Sequence, residues 1–209
     1  LTKIKICGLT RLEDIKAVNQ FQPDFIGFVF ANSKRQVNKS QAKLLKANLL
    51  PEIKSVGIFV NESMELITEL CEEGIIDMIQ LHGDEKEEYI RKLEQFVSCP
   101  VIKAISVQSK EQIELAEKLP VGYLLLDTYK NGQHGGTGTV FDHSLIPELN
   151  KPYFLAGGLD LENITNAVKI YHPFAVDVSS SLETNGVKDA DKIRRMIETV
   201  RNINGERIV

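Results

Sequence analysis

Eight short apolar runs recur along the chain, and their spacing restricts the fold more than any other feature. They begin near Ile4, Phe25, Ser55, Met78, Val101, Tyr123, Tyr153 and Phe174, at intervals of 21 to 30 residues. Each is rich in β-branched and aromatic residues and too short for a helix, so each reads as a strand buried on both faces, as in a parallel sheet. Helical patterns fill the intervals. Thr10 and Glu13 form a capping box ahead of Leu12, Ile15 and Val18, and Asn61 stands before Met64, Ile67, Leu70 and Cys71, with Gly74 as a stop. Asp84 precedes Tyr89, Ile90, Leu93 and Phe96, and Ser109 and Gln112 make a second box before Ile113, Ala116 and Leu119. Asp160 precedes Ile164, Ala167 and Val168, and the last helix carries Ile193, Met196, Ile197 and Val200 on its inner face. Residues 128–142 are glycine-rich, so the helix after the sixth strand is expected to be short or irregular.

Strand and helix alternating about eight times in roughly 200 residues has two common solutions, a closed (β/α)₈ TIM barrel and an open doubly wound sheet. An open sheet usually carries G-x-G-x-x-G after its first strand. Here that strand runs into Ile6-Cys7-Gly8-Leu9-Thr10, which favours the barrel. No linker, repeat or charge block divides residues 1–209, which read as one domain.

Composition removes several classes of function. A net charge of -4 supplies no basic footprint for nucleic acid, and the scattered Lys and Arg form no polybasic membrane segment. No apolar run approaches the roughly 20 residues of a membrane helix. The opening Leu1-Thr2-Lys3-Ile4-Lys5 alternates, unlike the apolar core of a secretion signal. Cys7, Cys71 and Cys99 have neither pairing nor zinc-like spacing, so reduced thiols and a cytoplasmic location are expected. His82, His134, His143 and His172 are not at metal-ligand spacing, and no metal or organic cofactor is expected.

A barrel of this kind works at the C-terminal ends of its strands. Strand one ends at Cys7, strand four at Gln80-Leu81-His82, strand six at Asp127, strand seven at Gly157-Gly158 and strand eight at Asp177-Val178-Ser179-Ser180-Ser181. Asp127 closes Tyr123-Leu124-Leu125-Leu126, and an acid at the mouth of an apolar strand suits general acid work; a turn cap or lysine partner is an equal reading. Cys7, freed of crowding by Gly8, could act as base or nucleophile, although a small buried hydrophobe is the commoner fate of a free cysteine. Ala156-Gly157-Gly158-Leu159 and Ser179-Ser180-Ser181 follow strands seven and eight, the pair of loops that cradles phosphate in many barrels; tight turns would explain them as well. Arg35 follows strand two on the same rim and could grip a carboxylate, or simply face solvent. Residues 131–138 form no Walker loop and read as a lid or a connector.

Taken in order, these pieces resemble the phosphoribosylanthranilate isomerase family from end to end. The resemblance rests on Lys5-Ile6-Cys7-Gly8-Leu9-Thr10, Gly27-Phe28-Val29-Phe30, Val56-Gly57-Ile58-Phe59-Val60-Asn61, Gln80-Leu81-His82-Gly83-Asp84-Glu85, Leu126-Asp127, Gly135-Gly136-Thr137-Gly138, Leu155-Ala156-Gly157-Gly158-Leu159 and Asp177-Val178-Ser179-Ser180. It implies an isomerase of tryptophan biosynthesis that performs an Amadori rearrangement of a phosphorylated small molecule, as a monomer or homodimer. Asp127 would then be the general acid and Cys7 the general base. Arg35 would hold the anthranilate carboxylate, with Gln80, His82 and Asp177 as further substrate contacts. Gly157, Gly158, Ser179 and Ser180 would bind phosphate. Three positions depart from the family pattern: Lys34 where proline is common, Ser181 where glycine is common, and His143 where an aromatic is frequent. A serine at a position that needs positive φ would be strained. Two other readings stand beside this one: another phosphosugar barrel isomerase, and a barrel that binds phosphorylated ligands without catalysis. The related histidine-pathway isomerase has an aspartate where this chain has Cys7, and pentose-phosphate epimerases need metal-binding histidines.

Overall fold

A computed structural model describes residues 1–128 and 142–205. Its strands are β1 (Lys3–Cys7), β2 (Phe25–Val29), β3 (Lys54–Phe59), β4 (Met78–Leu81), β5 (Val101–Val107), β6 (Tyr123–Thr128), β7 (Tyr153–Leu155) and β8 (Ala175–Val178). They pair in parallel in chain order and close through β8 and β1, where Lys5 lies opposite Asp177. The closed barrel is therefore the solution adopted, and the strand starts fall within one residue of the apolar runs. Around it lie α1 (Leu12–Phe21), α2 (Lys39–Ala47), α3 (Met64–Glu72), α4 (Glu87–Leu93), α5 (Lys110–Ala116), α6 (Ile164–Tyr171) and α7 (Ala190–Ile203). A two-stranded hairpin, β9 (Glu183–Thr184) and β10 (Val187–Lys188), follows β8.

Side chains alternate across a strand, so each barrel strand sends every second residue inward. The inward set at the lower end is apolar: Phe25, Val56, Met78, Ile102, Leu125 and Phe154 pack together, with Tyr123 and Phe174 against them. Phe25 and Phe154 meet edge to face at 5.4 Å, and the Lys3 ammonium lies 5.0 Å from the centre of the Phe174 ring. The outward set forms the larger core with the helices; Ile193, Met196, Ile197 and Val200 of α7 belong to it, as their spacing predicts.

The helix starts are displaced from the sequence reading. The α1 cap is Arg11, and the Asp14 carboxylate receives the N–H groups of Thr10 and Arg11 at 2.9 and 3.0 Å, so the expected box at Thr10 and Glu13 sits one residue further on. Ser63 caps α3 in place of Asn61, whose Oδ1 instead accepts the Asp84 N–H across two rim loops. Asn163 caps α6, while Asp160 holds the preceding turn through the Glu162 and Asn163 N–H groups. Ser109 caps α5 as expected. Gly74 follows α3 with φ of 64°, as a stop requires.

Behind the rim, Lys103 points outward from β5 into the layer beneath the loops. Its Nζ donates to the Gly83 carbonyl at 2.6 Å and lies 2.8 Å from Glu85, whose carboxylate also accepts the Asn61 and Gly83 N–H groups. This buried clasp ties the loops after β3 and β4 to each other. Most of the glycine-rich segment, with the residue range 131–138 read as a lid or connector, lies outside the described residues. Between β6 and β7 the described part holds one 3-10 turn, His143–Leu145, whose His143 ring meets Tyr171 edge to face at 5.2 Å.

Candidate active site

The barrel opens at the C-terminal ends of its strands into a cavity of about 750 Å³, lined by Cys7, Arg35, Gln80, His82, Asp127, Gly157, Asp177, Ser179, Ser180 and Ser181, among others. Of the residues singled out from the sequence, only Gly158 is missing from its wall. Gly158 takes φ of 65° one step behind the lining Gly157 and accepts the Asn163 amide at 2.9 Å, so its part is to shape the loop.

Cys7 points inward from the end of β1, on the same face as Lys5 two residues earlier. Its neighbour across the sheet is Gly27 of β2, and a Cβ there would stand 2.8 Å from the Cys7 sulfur. Glycine at 27 is thus what gives the thiol its room. Burial pushes the Cys7 pKa up; Lys5 and Lys188 pull it down, and Asp177 adds to the rise. The net direction is upward, so the resting group is a neutral thiol. Lys5 is fully buried with its Nζ 3.0 Å from Asp177 Oδ1. Burial works against the Lys5 charge, but Asp177 and Cys7 outweigh it and raise its pKa. For Asp177, burial raises the pKa against the opposing pull of Lys5.

Asp127 stands on β6, on the far side of the barrel from Cys7. One carboxylate oxygen accepts the Thr128 N–H at 2.7 Å. The other lies 3.4 Å from His82 Nε2, close enough for attraction but not aligned for a hydrogen bond. Behind His82, the Gln80 side-chain amide meets Nδ1 at 2.8 Å, which fixes the ring. His82 Nε2 and Gln80 Oε1 are buried on the cavity wall without hydrogen-bond partners. Buried polar atoms are rarely left so, and here both border a space that a polar ligand could fill. A Cβ on Gly157 would meet Asp127 Oδ1 at 3.0 Å and the Thr128 nitrogen at 2.8 Å, so the chain passes beside the acid only because residue 157 is glycine.

The loop after β8 is tied to its surroundings from three sides. Ser179 Oγ donates to the Cys7 carbonyl at 3.0 Å, Ser181 Oγ donates to the Leu159 carbonyl at 2.7 Å, and Lys188 Nζ donates to the Ser179 carbonyl at 2.9 Å. Ser181 is not among the residues with positive φ, so serine in place of glycine carries no strain. Ser180 and Ser181 open a 3-10 turn, whose first N–H groups have no acceptor within the turn. Burial lowers the pKa of Lys188, opposed by Glu183 at 2.9 Å.

Arg35 reaches the same cavity, but half of its fork is already engaged. Its Nε and Nη2 donate to the two oxygens of Glu183 at 2.5 and 3.0 Å, with Lys34 3.8 Å away. Glu183 therefore orients the guanidinium by its Nε–Nη2 edge, with Nη1 outside that pair.

Lys5, Gly27 and Glu183 were given no part in the site by the sequence reading, and Lys188 was placed only in the stretch beyond the Ser179-Ser180-Ser181 loop. For Lys5 a signal existed, since residues two apart on a strand share a face and Cys7 had been placed on the rim. Glu183 and Lys188 lie on a hairpin of four paired residues, too short to show a period.

Among the described residues no group of three or more His, Cys, Asp or Glu side chains is placed to hold a metal ion, and no helix is long and apolar enough to cross a membrane. A closed barrel with a thiol, a carboxyl group, a guanidinium and a lysine-tied loop around one mouth defines a TIM-barrel enzyme that works at the C-terminal ends of its strands. A family model described as N-(5'phosphoribosyl)anthranilate (PRA) isomerase matches residues 4–199. The chain is 46% identical to the N-(5'-phosphoribosyl)anthranilate isomerase of Acetivibrio thermocellus, with 98% of each covered. The crystal structure of the phosphoribosyl anthranilate isomerase from Thermus thermophilus superposes with a TM-score of 0.84 at 30% identity, covering 97% of this chain and all (100%) of that one. A phosphoribosyl anthranilate isomerase in complex with reduced 1-(o-carboxyphenylamino)-1-deoxyribulose 5-phosphate superposes at 0.79 and 33% identity, covering 98% of this chain and 100% of that one. The chain belongs to the N-(5'-phosphoribosyl)anthranilate isomerase family, and it is an isomerase.

Proposed function

We propose that residues 1–209 form one catalytic domain that converts N-(5'-phosphoribosyl)anthranilate to 1-(2-carboxyphenylamino)-1-deoxyribulose 5-phosphate by an Amadori rearrangement. The observation that carries the residue roles is the placement of Cys7 and Asp127 on opposite walls of one cavity. Asp127 protonates the ribose ring oxygen as its bond to C1 breaks, and the anthranilate nitrogen supplies the electron pair that forms an iminium ion. The adjacent positive charge acidifies the C2 proton, which Cys7 removes as thiolate, leaving an enolamine. Proton return to C1 and loss of the enol proton give the ketone. A proton is moved and no net oxidation occurs, so Cys7 and Asp127 can carry the sequence by acid–base steps.

The Nη1 edge of Arg35 receives the anthranilate carboxylate, and the loops at Gly157, Gly158, Ser179 and Ser180 receive the phosphate. His82, Gln80 and Asp177 contact the ribose side of the substrate; the unpaired His82 Nε2 and Gln80 Oε1 support this assignment. The enzyme works on a small phosphorylated substrate, in the cytoplasm, as a monomer or homodimer.

A fluorescence assay in excess chelator tests the reading. Phosphoribosylanthranilate made in place from anthranilate and phosphoribosyl pyrophosphate should decay only when the enzyme is present. Cys7→Ser should lose most of kcat while KM holds, and Asp127→Asn should lose about 10²–10⁴-fold. No decay with well-folded protein would mean a barrel that binds without turnover. A requirement for metal would favour an epimerase instead.

A further inference from the structure

The Lys5 ammonium is a charge inside the barrel, fully buried below the reaction cavity, with no part in the proposed chemistry. It projects from β1 on the same face as Cys7, and its cross-sheet neighbour in β8 is Asp177. Nζ bonds Asp177 at 3.0 Å, on the inward face that Lys5 shares with Cys7 two residues on. We propose that Lys5 is a positioning residue for proton abstraction: its ammonium, clasped by Asp177, stands beneath the Cys7 sulfur and stabilises the thiolate. This rests on the reading of Cys7 as the base.

The need for such a group follows from burial. A thiol in a closed, low-dielectric barrel resists ionisation, because the anion would lose its water. A cation fixed nearby offsets that penalty, and its effect is large where water is excluded. Asp177 and Cys7 both favour the Lys5 charge against burial, yet the carboxylate competes with the thiolate for that charge. Asp177 therefore tempers the pull of the cation on Cys7, and without it the thiolate itself pairs with Lys5. The other charges around the pair are Lys188 on the hairpin, which favours the thiolate from further off, and Arg35, which acts on Lys188. His82, just after β4, and Asp127 on β6 act on Asp177. Of the charges that reach Cys7, Lys5 has the strongest influence and Asp177 the next.

Alkylation of ligand-free protein by iodoacetamide, followed on the Cys7 peptide by mass spectrometry from about pH 6 to 11, reads the thiolate without any need for turnover. In Lys5→Met the Cys7 rate near pH 8 should fall by about tenfold or more, with the midpoint displaced to higher pH. In Asp177→Asn it should rise above wild type. Far-UV circular dichroism establishes that each variant is folded. If Lys5→Met fails to fold around the unpaired carboxylate, the double variant Lys5→Met/Asp177→Leu removes both charges. Its Cys7 should also react more slowly than wild type, since the buried thiol then has no cation beneath it to offset the loss of water. Opposite displacements in the two single variants, with kcat lost and KM held in Lys5→Met, are the expected outcome. Superimposable profiles for wild type and the variants, or displacement of both single variants in one direction, would overturn the proposal. Because alkylation is independent of catalysis, full activity in Cys7→Ser would refute Cys7 as base and leave the alkylation result to be judged separately.

Discussion

Replacing Gly27 by alanine asks how much of the chemistry depends on the room given to Cys7. The added methyl would stand 2.8 Å from the Cys7 sulfur, 3.0 Å from Ile58 Cδ1 and 3.2 Å from Cys7 Cα. Ordinary contact between such atoms begins at roughly 3.5–4.0 Å, so the sulfur must retreat by about 1 Å. The strand cannot move aside easily, because Cys7 and Gly27 are paired in the sheet and the neighbouring Gly8 N–H is bonded to the Gly27 carbonyl at 2.9 Å. Overpacking of this kind destabilises by about 1–3 kcal/mol. A displacement of about 1 Å in a reacting atom costs on the order of 10²-fold in rate. The expected variant is therefore a folded protein with kcat lowered about a hundredfold, KM little changed and a modest loss in urea stability. Steady-state kinetics and urea unfolding measure the two losses independently. Repeating the substitution in a Cys7→Ala background removes the sulfur, so most of the stability loss should disappear there and only the strain against Ile58 and the Cys7 backbone should remain. Gly27→Ala with wild-type kcat would refute the idea that the position of the sulfur limits the reaction. An equal stability loss in both backgrounds would show that the clash is with the strand.

Other expectations concern pH and stability. If Asp127 must be protonated and Cys7 ionised, kcat/KM should be bell-shaped with a plateau through neutrality, and its alkaline fall should begin only above about pH 9, because the Cys7 pKa lies above its ordinary value of 9.0. In Asp127→Asn the need for the acid proton disappears, and the residual kcat/KM should instead climb about tenfold per pH unit through the neutral range; a flat profile would remove Cys7 from the rate equation. Lys103→Met leaves Glu85 buried without its cation and should cost about 3–5 kcal/mol in urea unfolding, and a loss below about 1 kcal/mol would mean the clasp is not structural. The Glu183 pKa is lowered: burial works to raise it, but the bonds from Arg35 and Lys188 together prevail. A depressed carboxylate adds stability above its unfolded value and loses it as pH falls through the folded one. Urea stability of Glu183→Gln should thus lie below wild type at neutral pH and converge with it in acid; parallel curves would count against the pairing.

The barrel was legible because strands buried on both faces leave unbroken apolar runs, and eight of them at regular intervals leave few arrangements. The rim followed, since any residue that ends such a run must stand at the mouth. Cap positions were less legible. Thr10 and Asn61 carry the right chemistry for capping, but Asp14 and Ser63 hold those helix starts and Asn61 bridges two loops. Local pattern cannot foresee which of several polar residues tertiary contacts will recruit. Lys5 was obscured for another reason. In Lys3-Ile4-Lys5-Ile6 the charges look like a solvent face, whereas in a closed barrel that face turns inward, Lys3 against aromatic rings and Lys5 onto Asp177. Arg35 shows the remaining gap: its place on the rim could be read, but its pairing with Glu183 spans 148 residues.

Among the described residues, the aromatic cluster of Phe25, Tyr123, Phe154 and Phe174 packs across the lower end of the barrel, opposite the cavity. Under the proposed reaction, substrate enters and product leaves by the same doorway, and a seated ligand stands between that doorway and its own reacting atoms. With the far end sealed by rings, water has no second route to an iminium ion formed inside. A cation at that depth is shielded from hydrolysis for as long as the molecule that carries it stays in place.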